Sequence, residues 1–387
     1  MRPDAFRSTE RGTVRMTLGG FRAFYPNPLP RRLDLPQEVV RLSDEATGAV
    51  HRLGGLGRLL PNPHLLIGPH LRLEAVQSSR IEGTRADIPQ LLRLEAGETP
   101  GETDDAQEVR NYVIAMEYGL DRVRDGFPIS TRLLREIHER LLSGVRGQHR
   151  LPGEFRQTPN WIRGTNLDNA VFVPPPPEAM GELLTDLEYF LHEQEMPLLI
   201  QLALAHYQFE VIHPFLDGNG RIGRLMIPLM LILRGALTQP LLYLSAYFEH
   251  YRDDYFDLLL STSQNGDLLP WIQFFLRGVQ QQARDAEERT VRLVDLHHQV
   301  RSELLDEKRP NSVVRLAEHL FNLPFVTAKW AADTLEVSPP TAYSAINSLV
   351  ERGDLVELGE RRRNRIYQAP HIFEAVYGSP PQEDTAE

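Results

Sequence analysis

The chain has 387 residues, 41% hydrophobic and 25% charged, the balance of a folded protein with two or three domains. Its formal net charge of −11 sets the whole molecule against nucleic acid and anionic membranes, so either contact would need a local basic patch. The absence of cysteine excludes disulfides, thiolate metal sites and cysteine nucleophiles, and neither the polar start nor the apolar run 225–233 suits a leader or a membrane span; a cytoplasmic protein is expected.

Residues 1 to 60 open with Phe24-Tyr25-Pro26-Asn27-Pro28-Leu29-Pro30, which reads as an extended arm. Each proline removes a donor and biases its predecessor away from the helical region. Pro36 and Pro69 are each placed to open a helix. The first continues through Val39 and Val40, the second through Leu73, Val76 and Ser78 to a stop near Gly83. Apolar residues recur at helical spacing in Val109, Tyr112, Val113 and Met116, in Leu133, Leu134, Ile137 and Leu141, and in Leu183, Leu187, Phe190 and Leu191. Between the last two sets, Pro, Asn and Gly gather around Val171, Phe172 and Val173. This is the one hairpin the pattern predicts in the first three hundred residues, and the prolines Pro174 to Pro177 end it.

Helices are expected over 198–211 and 221–233, on either side of a turn, then over 251–260 and 269–277, followed by a polar stretch over 280–304. Near the C-terminus, 327–335 reads as a helix, 336–338 as a turn and 340–352 as a second helix. Strands over 355–358 and 365–368 would pair across a turn, which together predicts a winged helix-turn-helix. The expected division is an N-terminal arm with helices over 1–105, a helical core over 106–280, a helical linker over 281–310, the winged helix over 311–376 and an acidic, disordered tail over 377–387.

The chemistry concentrates in His213-Pro214-Phe215-Leu216-Asp217-Gly218-Asn219-Gly220-Arg221-Ile222-Gly223-Arg224. Gly218, Asn219 and Gly220 lie between two helical patterns, so their N–H groups can converge at a helix start, where the helix dipole favours an anion. Arg221 and Arg224 are three apart on that helix, and two guanidinium forks behind an amide nest suit a polyphosphate. Asp217 borders the nest as a carboxylate able to hold Mg²⁺ against phosphate oxygens. His213, four residues earlier, can take a proton from an incoming hydroxyl. Each residue alone has a structural explanation, since Asp-Gly and Asn-Gly are common turns; their combination points to phosphoryl-group chemistry.

This string resembles the signature of Fic-domain proteins, HxFx(D/E)GNGRxxR, at every specified position, and His206-Tyr207-Gln208-Phe209-Glu210 is similar to that family's lead-in helix. The likeness runs from Phe24 to Arg277, about two thirds of the chain. It implies a mainly α fold, a Fic-type helical core with a β-hairpin flap, carrying the winged helix at its end. It implies ATP and Mg²⁺ as substrate and cofactor. His213 would deprotonate a Ser, Thr or Tyr hydroxyl of a target protein, Asp217 would hold the metal, and Gly218, Asn219 and Gly220 would cradle phosphates. Arg221 would assist, and Arg224 would take the γ-phosphate.

Ser78-Ser79-Arg80-Ile81-Glu82-Gly83 resembles the family's inhibitory pattern, (S/T)xxxE(G/N). Ser78 and Glu82 share a helix face, and Glu82 would compete with a γ-phosphate for Arg224. Asn160, Trp161 and Ile162 with Val171 and Phe172 resemble the family's target-docking flap. Tyr251 and Tyr255 are candidates to line an adenine pocket. The resulting expectation is a protein adenylyltransferase, acting on a target protein or on itself, with a homodimer as a further possibility and no membrane partner. The rival readings are transfer of another phosphate-containing group, removal of AMP, or a DNA-binding regulator. For the last, Arg361, Arg362, Arg363 and Arg365 on the wing favour phosphate contact, while a recognition helix without Lys or Arg before its end opposes it.

Overall fold

The computed structural model describes residues 1–59, 63–97, 104–145, 149–359 and 364–378. The chain opens with an antiparallel hairpin, β1 (Gly12–Met16) and β2 (Arg22–Pro26), Gly12 opposite Pro26 and Met16 opposite Arg22. The expected plain arm is therefore half strand. Pro26 stands at the strand's end, where a missing donor costs least, and Phe24 turns inward with no exposed surface.

Eleven helices follow in the described residues: α1 (Gln37–Leu59), α2 (Pro63–Ile81), α3 (Ile88–Glu95), α4 (Asp104–Arg124), α5 (Thr131–Leu141), α6 (Pro177–His192), α7 (Leu198–Ile212), α8 (Asn219–Leu233), α9 (Ser245–His250), α10 (Arg252–Asn265) and α11 (Leu269–Asp306). Pro69 lies inside α2 instead of opening it. A proline removes one main-chain bond, a loss that packing of the helix against α4 and α9 outweighs. The short α3 begins with a capping box, Asp87 accepting from Gln90 N while the Gln90 side chain accepts from Asp87 N.

At the centre, α7 is apolar on every side, the composition of a helix enclosed by neighbours. It packs on α6, α8 and α11, and α8 is buried along nearly its whole length. Around them sit α1, α2, α4 and α5. The expected break near residue 280 does not occur. The 38 residues of α11 run unbroken from the core, where they pack on α1, to the C-terminal unit, where they meet α12 (Asn311–Leu320) and α15 (Pro370–Tyr377).

That unit continues with β3 (Phe325–Thr327), α13 (Ala328–Leu335), α14 (Pro339–Arg352), β4 (Val356–Leu358) and β5 (Ile366–Gln368). The three strands form one antiparallel sheet in the order β3-β5-β4. The predicted α13, α14, β4 and β5 segments are each found within one residue of their expected bounds, whereas three-residue β3 carried no readable period. Arg361, Arg362 and Arg363 lie outside the described residues. Among the described residues no helix is long and apolar enough to cross a membrane.

Candidate active site

The turn between α7 and α8 is built by side chains that bind backbone. His213 ends α7 in the left-handed conformation, φ 50°, its N–H bonded to Phe209 O at 2.9 Å. A non-glycine residue there costs about 1 kcal/mol, and Arg156 holds it in place. Arg156 is 1% exposed. Its Nε donates to His213 O at 2.8 Å, its Nη2 to Pro175 O at 2.5 Å and Ile212 O at 3.3 Å, and its Nη1 to Thr158 O at 3.3 Å. Burial pulls its pKa down to about 10, which still leaves it charged. Arg156→Met leaves these carbonyls without their donor, and an unfolding titration is expected to show a loss of about 2–4 kcal/mol. An unchanged midpoint would show that the fork does not hold the turn.

The next residues are fixed from two sides. Asn219 closes a ring on Phe215, its Oδ1 accepting from Phe215 N and its Nδ2 donating to Phe215 O, both at 2.8 Å. His138, on α5, stacks on the Phe215 ring at 3.8 Å. Its Nδ1 accepts from Gly153 N at 2.9 Å, so Nε2 carries the proton that meets Asp217 O at 3.0 Å. Burial holds this imidazole down to about 4, in keeping with a neutral ring.

Gly218 takes φ 77° and precedes α8 with no side-chain cap. The N–H groups of the first turn therefore have no acceptor within the helix and form the anion-attracting end of a long buried helix. The Asp217 side chain is 45% exposed at the rim. It is braced by Gly218 N at 2.6 Å and by Arg221 Nη2 at 3.3 Å; Arg221 is buried behind it and is also 3.8 Å from Glu108.

Arg224, one turn further, has a side chain only 1% exposed. Its Nε donates to Ser78 Oγ at 2.8 Å, and its Nη2 to Ser78 O at 3.0 Å and to Glu82 Oε1 at 2.7 Å. Burial opposes the charge, but Glu82, Tyr255 and Glu210 together hold the pKa above the ordinary arginine value. The remaining nitrogen, Nη1, is buried without a hydrogen-bond partner among the described residues and faces Gly220. Glu82 comes so close to Gly220 that any side chain at 220 would strike its carboxylate. The carboxylate therefore lies over the first turn of α8, where an anion would be drawn.

Glu82 is placed by the end of α2. Gly83, φ 93°, donates to Arg80 O at 2.9 Å and Thr84 N to Ser79 O at 3.1 Å, the paired bonds of a Schellman cap with Glu82 at the cap position. Arg252 Nη2 donates to Ile81 O at 2.9 Å. One turn before Ser78, Glu74 is buried and takes hydrogen bonds from Tyr112 OH at 2.9 Å and Ser245 Oγ at 2.5 Å; burial lifts it to about 7.

A cavity of about 390 Å³ opens on this constellation, within the size range of small-molecule sites. His213, Gly220, Arg224 and Glu82 line one end. Ile162, Trp161, Val171 and Phe172 line the side formed by the hairpin, which is a single antiparallel bridge, Ile162 to Phe172. Phe172 anchors it in a cluster with Phe24 and Phe6, whereas Trp161 is 39% exposed. Asn160 stands behind, its Nδ2 3.4 Å from Phe215 O.

Tyr255 lines the cavity too, with its hydroxyl 2.8 Å from His206 Nε2. Tyr251 does not: it packs on His250 and Tyr247 at 4.5 and 4.8 Å. The reason is local, because Tyr251 is the joint between α9 and α10, where the helical phase resets. The apolar end of the cavity is instead Phe256, Leu259, Leu260 and Val211.

Sequence reasoning missed Arg156, His138 and Glu210 as parts of the site. Glu210 faces the cavity beside Arg224, its Oε1 buried without a hydrogen-bond partner among the described residues; burial raises its pKa to about 8. None of the three carries a local pattern, although Glu210 stands one turn before His213.

His213 itself is partly buried. Its Nδ1 is 3.3 Å from Glu210 O, which places the proton on Nδ1 and leaves the Nε2 lone pair as the basic atom. Burial, and then the neighbouring Arg156, pull its pKa down to about 4.

Comparison with known proteins places this geometry in context. Residues 40–121 match the Fic/DOC family N-terminal region and residues 128–231 match the Fic/DOC family. The first stretch contains Ser78 and Glu82, and the second contains the whole 213–224 string. The chain is 28% identical over 253 residues to the protein adenylyltransferase Fic of Culex quinquefasciatus, covering 62% of this chain and 45% of that one. It is 27% identical over 227 residues to that of Drosophila grimshawi, covering 56% and 42%. The chain thus spans less than half the length of these curated relatives. A Fic family protein from Desulfovibrio desulfuricans shares the fold with a TM-score of 0.55 at 22% identity, over 89% of this chain and 98% of that one. Fic-1 of C. elegans does so at 0.50 and 24%, over 67% and 74%.

Proposed function

On the premise that this is a Fic-domain protein, whose residues 40–121 and 128–231 form the family's N-terminal and core regions, we propose that it transfers AMP from ATP to a hydroxyl of a target protein. The observation that carries the reading is the carboxylate of Glu82 on the buried Arg224 at the start of α8, 2.7 Å away, within one cavity with His213. A cationic pocket at a helix start, filled by an internal carboxylate, is one that a phosphate would fill in its place.

ATP would lie with its phosphates along the first turn of α8 and its γ end toward Arg224, once Glu82 has turned away. A Ser, Thr or Tyr hydroxyl of the target gives its proton to His213 Nε2 while its oxygen bonds to the α-phosphorus. The bond from that phosphorus to the bridging oxygen breaks, and pyrophosphate leaves with the electron pair. Asp217 would hold Mg²⁺ there through its one partly exposed carboxylate. A metal shared with substrate phosphates asks for no more. Bound there, it would neutralise charge on the phosphates. The hairpin with Trp161 and Ile162 would align a target strand beside the cavity.

Support for the other readings is thinner. No feature of the site favours another transferred group or removal of AMP. The C-terminal unit reads as a winged helix from its helix order and sheet, but Arg352, at the end of α14, is engaged by Glu303, Glu307 and Asp354, and Arg365 by Glu357. Neutralised in this way they offer little to DNA phosphates.

The test is mass spectrometry of Glu82→Gly protein incubated with ATP, Mg²⁺ and cell lysate. The added mass of one AMP on a hydroxyl residue is expected; addition of phosphate alone would overturn the reading. The pH dependence adds a second check. An imidazole held near 4 stays unprotonated at neutrality, so the rate at saturating ATP is expected to change less than about twofold from pH 8 to pH 6, with the acid limb below that range. A limb near 6.5, the ordinary histidine value, would show that His213 is fully solvated when it acts.

A further inference from the structure

The C-terminal unit touches the core on the two segments that bracket the Glu82 turn. On the upstream side, in α2, buried Arg72 donates from Nη1 to Asn322 O at 2.8 Å and reaches Asn322 Oδ1 at 3.3 Å. Gly68, one turn earlier, has no room for a side chain because Asn322 lies against it. On the downstream side, at the end of α3, the Thr327 hydroxyl donates to Ala96 O at 2.9 Å in a buried bond. Arg72 Nε and Glu95 close the gap between the two helices at 2.6 Å. The half-buried Tyr377 of α15, its hydroxyl enclosed, stands beside Arg72 and Glu95, and α15 packs on both α2 and α11.

These contacts are in line with the site. Ser78, which receives Arg224, is six residues after Arg72 on the same helix, about 9 Å along its axis. Glu82 caps that helix, and α3 begins six residues beyond. The ten residues from Arg72 to Glu82 are about three turns of helix beyond Pro69, so a shift at Arg72 is carried to the turn, and the Glu82–Arg224 contact at 2.7 Å tolerates about an ångström before it is lost. The seat is also built to open. When Asn322 and Thr327 withdraw, Arg72 and Glu95 still neutralise each other, so separation strands no buried charge.

We infer that the C-terminal unit sets the inhibitory contact: seated on Arg72 and Ala96 it holds α2 and α3 where Glu82 reaches Arg224, and unseating it frees Arg224 for ATP. This rests on the reading of Glu82 as a brake on AMP transfer.

The experiment uses the full chain with Thr327→Arg, which forces a long charged side chain into the buried seat, and with the milder Asn322→Ala. Transfer is expected to rise about fivefold or more in Thr327→Arg and less in Asn322→Ala, with no further rise when either is combined with Glu82→Gly. Hydrogen exchange of the amides of 82–84 is expected to speed up in Thr327→Arg without any nucleotide. A folded Thr327→Arg protein with wild-type rate and wild-type exchange overturns the inference, as does a gain that adds fully to that of Glu82→Gly. If Glu82→Gly itself transfers nothing, the function proposed for the site fails, while the exchange measurement still decides whether the C-terminal unit holds the turn.

Discussion

His213→Ala is expected to lower AMP transfer by about 10²–10⁴-fold, and to do so equally in the wild type and in the Glu82→Gly protein. The expectation follows from placement. The imidazole stands at the end of α7 with Nδ1 on Glu210 O, so only Nε2 is available to take a proton. Its backbone is held by Arg156, not by its own side chain, and the alanine variant should keep the turn, the Arg224 pocket and nucleotide binding. The measurement is therefore paired: initial rate of AMP incorporation together with ATP affinity by calorimetry. Loss of rate with affinity retained marks a proton acceptor. Loss of both would mean that the ring supports the phosphate site, and retention of rate would place the base elsewhere.

Glu82→Gly is expected to act in the opposite direction, raising transfer roughly 10- to 100-fold, the span of a coupling of about 1–3 kcal/mol. Arg224 cannot hold a carboxylate and a phosphate with the same nitrogens, and the carboxylate already occupies the space over Gly220. Glycine also suits the helix-capping position, so the turn itself should survive. The same change removes the partner of a buried guanidinium, and in the absence of nucleotide it should cost about 1–2 kcal/mol of stability, at the low end because Glu82 is partly exposed. Mg-ATP should then restore the melting temperature, since a ligand bound only to the folded form stabilises it. Higher activity, lower stability and nucleotide rescue form one signature. Equal transfer by wild type and variant would remove the brake from the account.

How much of this was legible beforehand depended on how local each feature is. The helices around α7 and α8 follow from apolar spacing, and the turn between them from one short run of glycine, asparagine and arginine. The helix end that places Glu82 was legible for the same reason, since Ser78, Glu82 and Gly83 lie within six residues. The N-terminal hairpin was hidden by the prolines that end and follow it, and the unbroken α11 by the polar residues of a helix that emerges from the core. Tyr251 was misplaced because spacing gives no sign that α9 stops one residue short of it.

The sequence by itself determined the helical class, the glycine turn between α7 and α8 with His213 before it, and the helix end that carries Glu82, because each is specified by neighbours along the chain. Tertiary structure alone decided which arginine holds His213, which imidazole stacks on Phe215, and where the C-terminal unit rests on α2. Those contacts join distant segments through side chains that lack any periodic mark, so their partners exist only once the helices have packed.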